Sequence, residues 1–176
     1  MKLPEIDILN RNTAGSLLRR NAGYHHVISI SDPTDGPPRG FKEHPARKLA
    51  LQFYDIPNPD TIDVYAPKRK HVEDILRFAK AIEPGDLVLC HCNAGISRSS
   101  ATALMILASK LTPSGKNAQE AIRLVMSIKT DPIHPNHRMV RYADEILGYG
   151  GLLEAAYSGT FQGADWSLLS LLDGED

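Results

Sequence analysis

Leu87 to Leu111 is the stretch that most limits what this chain can fold into. An unbroken apolar run, LVLCH, passes through a short glycine-containing loop into an almost wholly apolar segment, Ser99 to Leu111. A short continuous apolar run reads as a strand covered on both faces, as in a parallel sheet flanked by helices. The segment after it is long enough to be a buried helix. A buried strand that feeds a buried helix through so few residues points to an α/β fold, with ligand chemistry at the strand-to-helix turn.

The rest of the chain fits that unit. Residues 5–9 form a short first strand, and Thr13 to Asn21 a short helix capped by Asn12 or Thr13. Tyr24 to Ser31 reads as a buried strand ending at Asp32-Pro33. Residues 32–45 carry four prolines and two glycines and form a surface loop. Lys48 to Tyr54 alternates as a strand, and Asp55 to Pro67 is a long loop. Val72, Ile75, Leu76, Ala79 and Ile82 share one helical face after Pro67, and Glu83-Pro84-Gly85-Asp86 ends that helix. Ala118 to Ile128 and Asn136 to Leu147 are two more amphipathic helices, with Asn136 as a cap. The expectation is a mainly parallel sheet of four to five strands with helices on both faces. Residues 1–157 form a single domain, and 158–176 a tail whose cluster Trp166, Leu168, Leu169, Leu171 and Leu172 docks as a short helix or meets a partner.

At 176 residues and 42% hydrophobic, the chain can bury a core without staples. A net charge of −1 gives no footprint for nucleic acid. MKLPEIDILN lacks the apolar region of a signal peptide, and no apolar run approaches the ~20 residues of a membrane span. Cys90 and Cys92 sit two apart in an extended segment, so no disulfide framework is expected. The expectation is a cytoplasmic protein of a reducing compartment, with no membrane and no cofactor or metal. His25-His26 and His134-x-x-His137 lack a Cys or acid at ligand spacing.

The chemistry concentrates in Cys92-Asn93-Ala94-Gly95-Ile96-Ser97-Arg98-Ser99. The strand delivers Cys92 to a loop whose amides collect at a helix start, which makes an anion site. The loop holds no proline, so every amide can donate, and Gly95 can curl it with a positive φ. The helix end and Arg98 both favour the thiolate. The Arg98 guanidinium offers two donors to one phosphoryl group. A thiolate beside an anion cradle points to attack on a phosphate monoester. Against this stands a core cysteine followed by an ordinary turn, and the Cys-x5-Arg-Ser arrangement weighs against that.

His91-Cys92-x5-Arg98-Ser99 resembles the signature of the cysteine-based protein tyrosine phosphatase superfamily, most closely its small dual-specificity branch and bacterial relatives. ISISDP, LQFYDI, HVEDILRFA and PNHRMVRYADEILG add to the likeness over about residues 24–150. The resemblance implies phosphomonoester hydrolysis without a metal, through a phosphocysteine. It makes Cys92 the nucleophile, with phosphate bound by Arg98 and the backbone of Asn93, Ala94, Gly95, Ile96 and Ser97. Ser99 would stabilise the departing thiolate, and His91 would support the loop and the thiolate. Cys90 reads as core packing. The implied partner is a phosphorylated protein, phosphotyrosine first. RNA 5′-phosphates, phosphoinositides and small phosphate esters stand behind it, as do a rhodanese-type sulfurtransferase and a non-catalytic phosphopeptide-binding module.

Such an enzyme needs an acid for the leaving oxygen. Asp55 ends a strand at the ligand-binding edge and is the first candidate. Asp60 is the rival, because Ile56-Pro57-Asn58-Pro59-Asp60 resembles the Ile-Pro-x-x-Asp of some dual-specificity enzymes. Asp63 is third, and at least two of these acids are ordinary loop carboxylates. Lys68-Arg69-Lys70 and Arg19-Arg20 read as solvated faces, or as attractors of anionic substrates. Asn136 reads as a cap, or as a group that positions substrate or water.

Overall fold

Four strands all run the same way in the order β1-β4-β2-β3: β1 (Glu5–Asn10), β2 (His26–Ser31), β3 (Arg47–Gln52) and β4 (Leu87–Cys92). This computed structural model describes residues 2–128 and 131–162. The expected α/β architecture is borne out. The inner strands β2 and β4 are buried almost throughout, whereas β1 and β3, at the edges, are only partly so. Side chains alternate between the faces. Ile6, Ile8, Ile28, Ile30, Val88, Cys90 and Cys92 point into one core, and Val27 and Leu89 into the other.

The larger core is closed by α2 (Arg69–Ala79), α3 (Arg98–Ser109), α4 (Gly115–Ile128), α5 (His137–Leu147) and α6 (Leu152–Tyr157). The smaller is closed by α1 (Arg11–Arg19), through Ala14 and Leu18. α3 is buried along all but its last residue. No helix among the described residues is long and apolar enough to cross a membrane.

Several boundaries differ from expectation. α1 starts directly after β1, because Asn10 caps it by accepting a 2.9 Å bond from Thr13 N–H, displacing Asn12 and Thr13 from that role. α2 stops at Ala79, and Ile82 is buried from the following turn, where Ala81 and Ile82 donate to carbonyls three residues back. α6 was not expected. The buried Asp144 carboxylate accepts from the amides of Gly151, Leu153 and Glu154, so a helix starts from a side chain distant in sequence. A π-helical turn, Ser158–Gln162, comes after it and buries Phe161. The apolar cluster 166–172 lies outside the described residues.

Candidate active site

All four strands end at one edge of the sheet. Cys92 closes β4 there, and residues 93–97 curl from it into α3. The loop is held by its carbonyls. Asn93 O accepts from Arg11 N–H at 3.1 Å, Ile96 O from His134 N–H at 3.1 Å and Ser97 O from Asn136 N–H at 3.2 Å. Ser100 Oγ donates to Ile96 O and, at 3.0 Å, to Ser97 O. Those carbonyls are committed outward, and Gly95 N–H points at Cys92 Sγ at 3.3 Å. Gly95 has φ +74°, and a Cβ there would lie 2.6 Å from both Asn10 N and Leu9 C. Only glycine lets the loop press against the end of β1.

Ser99 Oγ lies 3.1 Å from Cys92 Sγ on the other side. The Arg98 side chain is 4% exposed. Its Nη1 donates to Asp32 Oδ1 at 2.7 Å and to Phe53 O at 2.6 Å, while its Nε has no hydrogen-bond partner among the described residues. One end of the guanidinium is thus anchored and the Nε side is left for an anion. Asp32 was not anticipated. The signal was an acid at the end of a buried strand on the same edge as a buried arginine that needs a counter-charge.

Asp55 meets the loop. Its Oδ1 accepts from Ser97 Oγ at 2.6 Å and from Asn136 Nδ2 at 2.7 Å, and Asn136 Oδ1 caps α5 through Met139 N–H. Asn136 therefore caps α5 and at the same time holds the Asp55 carboxylate. Asp60 is elsewhere: its side chain is 87% exposed, 3.7 Å from Arg141, and its amide turns back on Asn58 Oδ1. Asp63 accepts from Tyr65 N–H, a turn contact within the same loop.

Arg138, also unanticipated, holds the loop between them. Its amide donates to Pro57 O, and its buried guanidinium donates to the carbonyls of Asn58, Pro59 and Thr61. Arg138→Met should release this loop. If Asp55 is the proton donor, the variant should lose about tenfold or more in kcat on phosphotyrosine. It should lose little on an activated aryl phosphate, and its fold, read by circular dichroism, should be intact.

His91 is fully buried on the α1 face, away from the thiol. Its Nδ1 lies 3.5 Å from Cys92 O, so it reaches the backbone of Cys92 rather than the sulfur, and its Nε2 is unpartnered among the described residues. Burial is the main cause that lowers its pKa to about 4, and the nearby positive Arg11 and Arg98 add to it. The folded protein therefore keeps His91 neutral where the unfolded chain, with a value near 6.5, takes up a proton. This contribution is fully present above about pH 6.5 and is lost as pH falls toward 4, by about 3 kcal/mol. Denaturant midpoints between pH 7 and pH 4 should show it, and His91→Asn should flatten that part of the slope.

Cys90 is wholly buried two residues before Cys92, and burial pushes its thiol well up, which keeps it a neutral core group. Lys70 pairs with Asp74, and Arg69 with Glu73 and Glu145, so two of the three residues of this basic run are ion-paired. His26 pairs with Asp86, and His25 Nδ1 accepts from Leu87 N–H. No cluster of metal-ligand side chains occurs among the described residues.

No protein-family model and no curated protein matches the chain. Solved structures share its fold. Tk-PTP in the active form superimposes with a TM-score of 0.57 at 16% identity, over 84% of this chain and 93% of that one. Human DUSP28 gives 0.53 at 19% identity, over 89% and 96%. PTPMT1 in complex with PI(5)P gives 0.51 at 18% identity, over 90% and 92%. Identity at this level establishes a common α/β fold.

Proposed function

We propose that this chain is a cysteine-dependent phosphomonoester hydrolase acting on phosphotyrosine in proteins. The observation that carries the reading is the convergence on Cys92 Sγ of Gly95 N–H, Ser99 Oγ and a loop ending in the half-anchored guanidinium of Arg98. The Cys92 thiolate attacks phosphorus, the phosphorus–oxygen ester bond breaks, and Asp55 gives its proton to the leaving phenoxide. Arg98 and the loop amides hold the equatorial oxygens as charge builds on them. Water then attacks the phosphocysteine, Asp55 takes its proton, and sulfur leaves as a thiolate stabilised by Ser99 O–H. Inorganic phosphate departs and the enzyme is restored.

Asp55 is favoured as the acid because it alone of the three loop carboxylates touches the phosphate loop. An aromatic leaving group is supported by exposed Tyr54, Tyr65 and Ile96 beside the site. The neighbours' names, among them a PTP and a DUSP, agree with this chemistry. Free Cys90 and Cys92 fit a reducing, cytoplasmic setting.

Asp55→Asn should cut turnover of phosphotyrosine by about 10²–10⁴-fold. The loss should shrink for an activated aryl phosphate, and the high-pH limb of kcat/KM should flatten. Asp60→Asn should change little. If Asp60→Asn shows the leaving-group dependence and Asp55→Asn does not, the two roles are exchanged. Turnover of thiosulfate rather than of any phosphate ester would replace the whole reading by sulfur transfer.

A further inference from the structure

Seven large apolar side chains stand exposed among the described residues, and five of them belong to one rim: Tyr54, Ile62, Val64, Tyr65 and Ile96. The other two, Met126 and Leu152, lie apart on α4 and α6. Ile96 is part of the loop that curls from Cys92. Tyr54 precedes Asp55, whose carboxylate accepts from Ser97 of that same loop. Tyr65 meets Tyr54 edge-on, with ring centroids 5.7 Å apart. Ile62 and Val64 follow within about 11 Å of Tyr65, the reach of three residues of chain. Single exposed apolar side chains need no explanation, but a cluster at the mouth of a site does.

This rim is braced. Tyr54 N–H donates to Tyr65 O at 2.8 Å and closes the neck of the 54–65 loop. Asp63 Oδ1 accepts from Tyr65 N–H at 2.7 Å, and Asp63 O from Ala66 N–H at 3.3 Å. Arg138 holds the carbonyls of Asn58, Pro59 and Thr61. A backbone tied at these points keeps Ile62 fully exposed and Val64 72% exposed. It also presents both to a partner at little further ordering cost.

The site determines what covers them. A phosphotyrosine with its phosphorus at Cys92 carries the residues on either side of it across this mouth. About three residues of extended chain, at about 3.3 Å each, reach from Tyr65 to Ile62. Charge then separates the occupants. Residues 54–67 carry three carboxylates, Asp55, Asp60 and Asp63, and no lysine or arginine. Arg141, near Asp60, is shared with Glu154. An acidic flank or an anionic membrane surface would be repelled here, whereas an uncharged apolar side chain would lose only its contact with water.

We propose that Ile62 and Val64, with the rest of this rim, form a specificity surface that takes an apolar side chain flanking the phosphotyrosine. The inference rests on the phosphatase reading above and names its substrate class: phosphotyrosyl segments with apolar, not acidic, neighbours.

The test uses phosphotyrosyl peptides on a serine and glycine background, with leucine or glutamate placed singly at each position up to three residues either side. Leucine at one position or more should raise kcat/KM about tenfold over the parent, a gain that salt does not weaken. Glutamate there should lower kcat/KM, and salt should reduce that loss. Ile62→Ser with Val64→Ser should abolish the leucine gain and leave p-nitrophenyl phosphate turnover unchanged. Affinity of the same peptides for the Cys92→Ser protein gives a readout that needs no turnover. If no peptide is hydrolysed but leucine still tightens binding through Ile62 and Val64, the phosphatase reading fails and the surface stands. Equal kcat/KM and affinity for leucine and serine at every position, or a leucine gain that survives the double variant, would overturn the proposal. So would Ile62- and Val64-dependent binding of phosphatidylcholine vesicles, or Ile62- and Val64-dependent dimerisation in sedimentation, without any preference among the peptides. Those results would make the rim a membrane surface or a contact between copies of the chain.

Discussion

Cys92→Ser should leave no turnover above background while phosphate and vanadate still bind. The loop amides and Arg98 are untouched by the change, so the anion cradle survives. Only the nucleophile is lost, because a serine hydroxyl at this position has no base beside it: its neighbours are Gly95 N–H and Ser99 O–H, both able to donate. Removing the nucleophile from other covalent enzymes costs about 10⁶-fold in kcat, and a loss of that order is expected here. The check is paired: steady-state turnover of an aryl phosphate, and phosphate affinity by calorimetry. Turnover close to wild type would end the phosphocysteine mechanism. Loss of phosphate affinity along with turnover would show that the substitution had collapsed the loop.

Arg98→Lys should be nearly as severe although the charge is kept. The guanidinium does two jobs at once, with Nη1 committed to Asp32 and Phe53 O while Nε is left over. Lysine has one nitrogen at the end of a flexible stem, and Asp32 would draw it. An arginine that stabilises phosphoryl transfer is worth about 10³–10⁵-fold, and kcat/KM should fall within that range. Asp32→Asn keeps an acceptor for Nη1 and should cost far less. Single-turnover kinetics would place the Arg98→Lys loss in the chemical step; near-normal kcat/KM would mean that the oxyanion clamp lies elsewhere.

The half of the candidate site that was legible in the sequence is local. Cys92, Gly95, Arg98 and Ser99 occupy one strand-loop-helix unit, and spacing along the chain becomes geometry almost directly. The same locality made β2 and β4 readable as buried strands and Asn136 readable as a cap. What was not legible depends on chain crossings. Asp32 reaches Arg98 because β2 lies beside β4 in the sheet, an order that periodicity does not reveal. Arg138 reads as one more polar residue on an amphipathic helix, and only packing shows its side chain turned inward to three carbonyls of residues 58–61. α6 depends on Asp144, seven to ten residues before the amides it accepts. Helix ends were misplaced where side chains or short turns, not apolar spacing, set them, as at Asn10 and Ala79.

Arg138 grips carbonyl oxygens, and carbonyl oxygens are the same whatever side chain the residue bears. The loop's course is therefore largely insulated from its own spelling at Pro59 and Thr61, whereas the Asn58 side chain is itself committed to Asp60 N–H. Neighbouring Ile62 and Val64, exposed and uncommitted, can drift in identity while the backbone that carries Asp55 stays where it is. Substitutions at Ile62 and Val64 can change the chemistry of this rim without disturbing the contacts that Arg138 makes. Much of the burden of holding residues 57–61 falls on one arginine on a helix outside the loop.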